Sequence, residues 1–217
     1  MRSAEGVSDL TTRARIRDAA IRCVARDGVN VSLRAIASEC GVSASLIVHH
    51  FGSRAGLREH CDRYVLDSIR ELKSSVLEPG SGVAAMLAQI EDVGSYAPLI
   101  GYLIRSLQAR GPGSQSFLDH LVATTQGYLQ LGVESGVVSP SRDPEARARA
   151  LVEFSTGALL LHVPGPNEPL DLDALPTWLR SYTDRLMPPV LELYTEPLLT
   201  DSAMLAAYLA AREAAPS

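Results

Sequence analysis

Residues 32–57, SLRAIASECGVSASLIVHHFGSRAGL, hold three serines and a glycine placed so as to cut the chain into short helices. Ser32, Ser43 and Ser53 each suit the position before a helix, where a hydroxyl accepts from an amide that the first turn leaves unpaired. They predict helices over 33–39 and 44–50 and a long one opening after Ser53. Gly41 falls four residues after Ala37, where a tight turn wants the positive φ that glycine takes without penalty. Ile36 and Ala37 face the second helix, and Ala37 is small enough to let the two cross closely. Val42 and Ile47 complete a small core, and Phe51 can anchor the end of the second helix. Two short helices joined in this way form a helix-turn-helix, whose second helix fits the major groove of DNA.

The rest of the chain carries helical period and no sustained strand alternation, which predicts an all-α fold. A first helix is expected over 12–26, with Ile16, Ala19, Ala20, Cys23 and Val24 on one face and Gly28 ending it. The helix after Ser53 is expected to reach 77, before Pro79-Gly80. Longer helices follow over 82–93, 96–110 and 116–135, and Asp143-Pro144 starts another that runs to 163. The last segments cover 174–187, 189–196 and 201–212, and the Pro188-Pro189 pair is expected to kink or break its helix. The division predicted is a helix-turn-helix domain over 1–53 and a helical bundle for ligand binding and dimerisation over 54–217.

Charge separates the same two parts. The 217 residues carry a formal net charge of -5, yet residues 1–63 sum to +3 and the remainder to -8. A basic module on an acidic body suits a DNA reader with a separate regulatory domain. Aromatic residues make up only 5%, so aliphatic side chains and alanine must fill the core. No apolar run approaches the roughly 20 residues of a membrane span. The N-terminus lacks the apolar stretch of a secretory signal. Cys23, Cys40 and Cys61 share no metal-ligand spacing, and reduced, partly buried thiols in a cytoplasm are expected. No metal or cofactor is expected, and no membrane partner. The abundance of arginine over the single Lys73, with many alanines, suggests a GC-rich genome.

Residues 12–57 resemble the DNA-binding domain of the tetracycline-repressor (TetR/AcrR) family of bacterial transcriptional regulators. The likeness lies in R-x-x-I-x-x-A-A of the first helix, then S-L-R-A-I-A-x-x-C-G-V-S, then H-H-F-G-S-R-x-x-L. It implies that Ser43, Ala44, Ser45, Leu46, Val48, His49 and His50 meet DNA. Ser32 and Arg34 would lie near phosphates, as would Arg54 at the start of the fourth helix and Arg13 at the start of the first. The chain departs from the family where Leu46 and Val48 replace a common threonine and tyrosine. Apolar side chains there can pack on thymine methyls but donate no hydrogen bond. His49 is left as the main polar reader or, alternatively, as a cap on its helix. His50 suits packing better than reading.

The resemblance further implies a homodimer on a palindromic operator and a small-molecule effector. Leu151, Val152, Ser155, Ala158, Leu159 and His162 form a stripe that, with Trp178 and Tyr182, could make the dimer interface or face its own core. Met86, Tyr96, Tyr102, His120, Thr125 and Tyr128 interrupt apolar faces and could line a largely apolar pocket, or be ordinary surface and core groups. The expected function is a cytoplasmic, sequence-specific regulator, a repressor released from its operator by a small hydrophobic ligand. An activator or a ligand-independent regulator of the same fold is the alternative. A helical enzyme is more remote, since no GxSxG, HExxH, P-loop or CxxC is present.

Overall fold

The computed structural model describes residues 2–196 and 198–214, with side chains described from Leu10 onward. Among the described residues ten α-helices follow one another: α1 (Arg2–Asp27), α2 (Leu33–Cys40), α3 (Ala44–Phe51), α4 (Arg54–Val76), α5 (Gly82–Glu91), α6 (Ala97–Gln108), α7 (Pro112–Glu134), α8 (Pro144–Leu160), α9 (Leu175–Thr195) and α10 (Ala203–Glu213). A 3-10 turn, Val93–Tyr96, leads into α6. No strand occurs among the described residues. The chain divides after Arg180 into two compact units.

The local signals in the sequence set the short helices. Ser32, Ser43 and Ser53 Oγ accept from the amides of Ala35, Leu46 and Gly56 at 3.1, 3.1 and 3.0 Å. Gly41 lies at φ 65°, and the Val42 amide behind it returns to the Ala37 carbonyl at 3.0 Å, closing α2. α1 opens at Arg2 rather than at 12, α7 at Pro112 rather than at 116, α8 ends at Leu160 rather than at 163, and two further expectations differ in kind. The sequence places 96–110 in one helix, but a 3-10 turn covers its start. The break expected at Pro188-Pro189 is absent, and α9 runs through both prolines. Proline's fixed φ is itself helical, so the pair removes two ladder donors without forcing the chain out of the helix.

Within the first unit the core is continuous across residue 53. Ile16, Ala20, Cys23 and Val24 of α1 pack with Ile36 and Ala37, with Ile47 and Phe51, and with Leu57, Cys61 and Val65 of α4. The same cluster extends to Tyr102, Phe117, Leu121, Val122, Ala148 and Val152. The short helices α2 and α3 are therefore built onto α1 and α4, and α4 belongs to both parts. A polar network fastens α4 to α6 inside this core. Tyr102 Oη donates to Asp62 Oδ1 at 2.6 Å, Arg58 bonds Asp62 Oδ1 and Ser106 Oγ at 2.8 Å each, and Ser106 Oγ donates to the Tyr102 carbonyl at 2.7 Å. A smaller cluster joins Ala97, Leu170, Leu175 and Leu179. In the second unit α10 exposes Met204, Leu205 and Tyr208.

Cys23 and Cys61 are sealed in the core, and Cys40 is half-buried. Burial pushes the Cys61 thiol up to about 12, and raises Cys23 and Cys40 above the usual thiol range. Because the thiolate is the reactive form, an aromatic disulfide reagent at pH 8 should modify at most Cys40 in the folded protein. All three should react in denaturant. Fast release of three equivalents from native protein would contradict this burial.

Candidate nucleic-acid interface

Helix α3, the second of the helix-turn-helix, turns one side inward and one side out. Ile47 is fully buried and Phe51 nearly so, while Ser45, Val48 and His49 are exposed and Ala44, Leu46 and His50 are half-buried. An eight-residue helix is marginal alone, so these two inward anchors hold it. Ser43 Oγ serves as the N-cap and also shares a hydrogen bond with Ser45 Oγ at 2.9 Å. The α3 amide end and two serine hydroxyls thus face outward together, a grouping able to meet a phosphate or a base edge. Val48 leaves 42% of its surface exposed, and its methyls form the apolar part of that surface.

Behind α3, aromatic and cationic groups gather around Phe51. The His60 ring lies 5.2 Å from the Phe51 ring, His50 lies 6.4 Å away, and the Arg13 guanidinium stands 5.1 Å from its centroid. His49 and His50 meet edge to face at 5.5 Å. His60 titrates below the ordinary histidine range, first through burial and then through the charges of Arg13, Arg17 and Arg63. The cations that disfavour a charged His60 create a field that attracts phosphate. His60 and Arg63 were not legible as participants from sequence; their i, i+3 spacing on α4 was the available sign.

Arg54 lies at the first position of α4, exposed, with Nη2 donating to the Val29 carbonyl at 3.0 Å. It braces the turn between α1 and α2 while keeping its guanidinium on the surface. Arg34 is exposed in the first turn of α2, whose cap is the exposed Ser32. Across α1 and α2 the Glu39 carboxylate takes Arg22 at 3.6 Å and Arg26 at 3.4 Å.

The six residues expected around a ligand are not brought together. Tyr102 is fully buried and its hydroxyl is already bonded to Asp62, so it is a core fastener. Thr125 is only 2% exposed on α7, and His120 is exposed. Met86 and Tyr128 are half-buried on α5 and α7. Tyr96 alone lines a cleft of about 360 Å³, together with Tyr64, Ser68, Glu71, Leu72, Ser75 and Leu99. The α4 members recur at helical spacing, a mixed stripe on a long helix that the sequence did show.

The expected dimer stripe on α8 is also redistributed. Val152 is 4% exposed and packs in its own core against α7 residues, so it faces inward. Ser155 and His162 are exposed, and Leu151, Ala158, Leu159, Trp178 and Tyr182 are half-buried. The most exposed apolar groups nearby were not anticipated: Phe154 at 74% and Leu161 at 81%.

Residues 16–61 match the model for bacterial regulatory proteins of the tetR family, and residues 94–200 match the model for a tetracyclin repressor-like C-terminal domain. The chain is 46% identical to the HTH-type transcriptional regulatory protein RaaS of Mycobacterium tuberculosis over 210 residues, covering 97% of this chain and 95% of RaaS. The chain belongs to the TetR family. Its fold matches the crystal structure of a TetR-family transcriptional regulator from Rhodococcus sp. with a TM-score of 0.50 at 23% identity, covering 81% of this chain and 98% of that one. A TetR-family protein is a DNA-binding transcriptional regulator, and the exposed side of α3 is where this one carries the expected reading residues. Members of the family act as dimers and respond to ligands through the C-terminal domain. Among the described residues, no helix is long and apolar enough to cross a membrane.

Proposed function

We propose that this TetR-family regulator is a cytoplasmic repressor that binds a palindromic operator as a homodimer and is released by a small, largely hydrophobic ligand. The observation that carries the DNA-reading part is the outward set on α3: Ser43, Ser45, Leu46, Val48 and His49 beside Arg13, Arg34 and Arg54. Ala44, His50 and Ser32 complete the contact surface. Two copies related by a two-fold axis would set their α3 helices about 34–36 Å apart, one turn of DNA. Exposed Phe154 on α8 and Leu161 just past its end extend the stripe of Leu151, Ser155, Ala158 and His162, and this apolar exposure supports a dimer contact there. The cleft at Tyr64, Leu72, Tyr96 and Leu99 supports a small, largely apolar ligand, and Glu71 offers it an orienting polar contact. Release then follows if the ligand prefers the conformation that fits DNA poorly.

Footprinting on DNA flanking the protein's own gene tests this reading. A two-fold symmetric protected segment is the expected result, and no protection at low salt would end the proposal. On that segment His49→Ala should change the preference among operator bases by about fivefold to tenfold, as loss of one base contact does. An equal loss on operator and random DNA would remove His49 from base reading and leave it as a helix cap.

A further inference from the structure

Arg105 lies on α6 and is 3% exposed, yet it carries a guanidinium. Its Nε donates to the Ala25 carbonyl at 3.3 Å. Nη1 donates to Gln108 Oε1 and to the Gly165 carbonyl, each at 2.8 Å, and Nη2 donates to the Glu168 carbonyl. All four acceptors are neutral oxygens, and three are main-chain carbonyls. Burying an arginine costs several kcal/mol unless its donors are met, so a site that meets them this fully is built for this side chain.

The location gives the site its meaning. Ala25 and Arg26 lie in the last turn of α1, where a helix leaves carbonyls without internal partners and a partial negative charge. Here Val24 O accepts from the Gly28 amide at 2.8 Å, Ala25 O from Arg105, and Arg26 O from the Leu170 amide at 3.1 Å. Two of these three caps come from the C-terminal part of the chain. Gln108 adds a bond from α6 to the Pro164 carbonyl at 2.8 Å. Gly101 permits the approach, since a Cβ there would stand 2.9 Å from Ala25 Cβ and 3.3 Å from Leu170 Cδ2. The segment between α8 and α9 is therefore clasped to the end of α1, and the turn beyond that end is the one Arg54 braces through Val29.

We infer that Arg105 is a positioning residue for DNA binding: by capping α1 from α6 and the 164–170 segment, it sets the angle at which the reading helices leave the body. The inference rests on the dimeric DNA-reading function proposed above. In a dimer that angle sets the separation of the two α3 helices, and hence the half-site spacing the protein accepts. A residue of merely structural importance would lower the active fraction and weaken all DNA alike.

The test uses full-length protein and DNA selected from a random pool by the wild type, with one or two base pairs then inserted at its centre of symmetry. The wild type should prefer the selected spacing by about tenfold or more. Arg105→Met should fall below about threefold discrimination while still binding an isolated half-site, and Arg105→Lys, which reaches fewer acceptors, should lie between. Unchanged discrimination in Arg105→Met, or equal loss on every spacing, overturns the inference. A wild type indifferent to spacing overturns it too, and a wild type that selects no DNA fails earlier, at the DNA-reading function itself. If Arg105→Met does not fold by circular dichroism, Gln108→Ala, which removes the bond to Pro164 and one of the four Arg105 acceptors, must show a smaller relaxation. Wild-type discrimination in that variant would then overturn the inference.

Discussion

Raising monovalent salt from 50 to 200 mM should weaken operator binding by about a thousandfold. The estimate follows from Arg13, Arg34 and Arg54 as three phosphate contacts per head, six in a dimer, each releasing close to one counterion from duplex DNA. The chain's overall charge of -5 does not oppose this, because the field that matters is local, and residues 1–63 are net positive. His60, held below the ordinary histidine range first by burial, also feels this field through Arg13, Arg17 and Arg63. Arg54→Ala should lower the magnitude of the logarithmic salt slope by about two per dimer and weaken specific and random DNA alike. Its loss of the bond to Val29 adds a smaller, salt-independent component, separable because it leaves the slope untouched. Binding that changes less than threefold over this range would rule out phosphate contacts as the main source of affinity.

The parts of this protein that were legible in the sequence are those whose partners lie close along the chain. A capping serine bonds an amide three residues on, and Gly41 answers to its own φ, so α2, α3 and the start of α4 could be placed to within a residue. The buried face of α1 was equally readable because its period is local. Tyr102 was not, because a tyrosine in an apolar stripe reads the same whether its hydroxyl meets a ligand or Asp62, forty residues away. Arg105 is the same case at greater range, its three main-chain acceptors lying 60 to 80 residues distant.

The α8 stripe was ambiguous for a different reason. Apolar and small residues occur nearly all round that helix, so the sequence offers a choice of faces and no local signal chooses. Packing on α7 takes the side of Ala148 and Val152, which leaves Phe154 and Leu161 outward. The cleft beside Tyr64 was hidden by the length of α4. That helix packs with α2 and α3 at one end and lines a cavity further along, so a boundary drawn at residue 53 separates what the helix joins.

Neighbouring residues Ile47 and Val48 should give opposite results when each is cut to alanine. Ile47 is fully buried, so Ile47→Ala removes three carbons from the small core and should cost about 2–4 kcal/mol in denaturant unfolding. Because α3 has only Ile47 and Phe51 as buried anchors, that loss should fall on the reading helix and abolish specific binding before the fold is lost. Val48 is 42% exposed, and Val48→Ala should alter stability by less than about 0.5 kcal/mol. Its effect should fall on DNA, as about a fivefold loss confined to operators with thymine at the contacted position, restored by no other base. Where relatives of this family commonly place a hydrogen-bonding tyrosine, a valine that meets a thymine methyl would trade polar contact for apolar fit. A Val48→Ala variant that binds thymine and uracil operators with the same ratio as the wild type would show that Val48 does not touch that methyl. The preference would then have to arise from His49, Ser45 or the shape of the DNA.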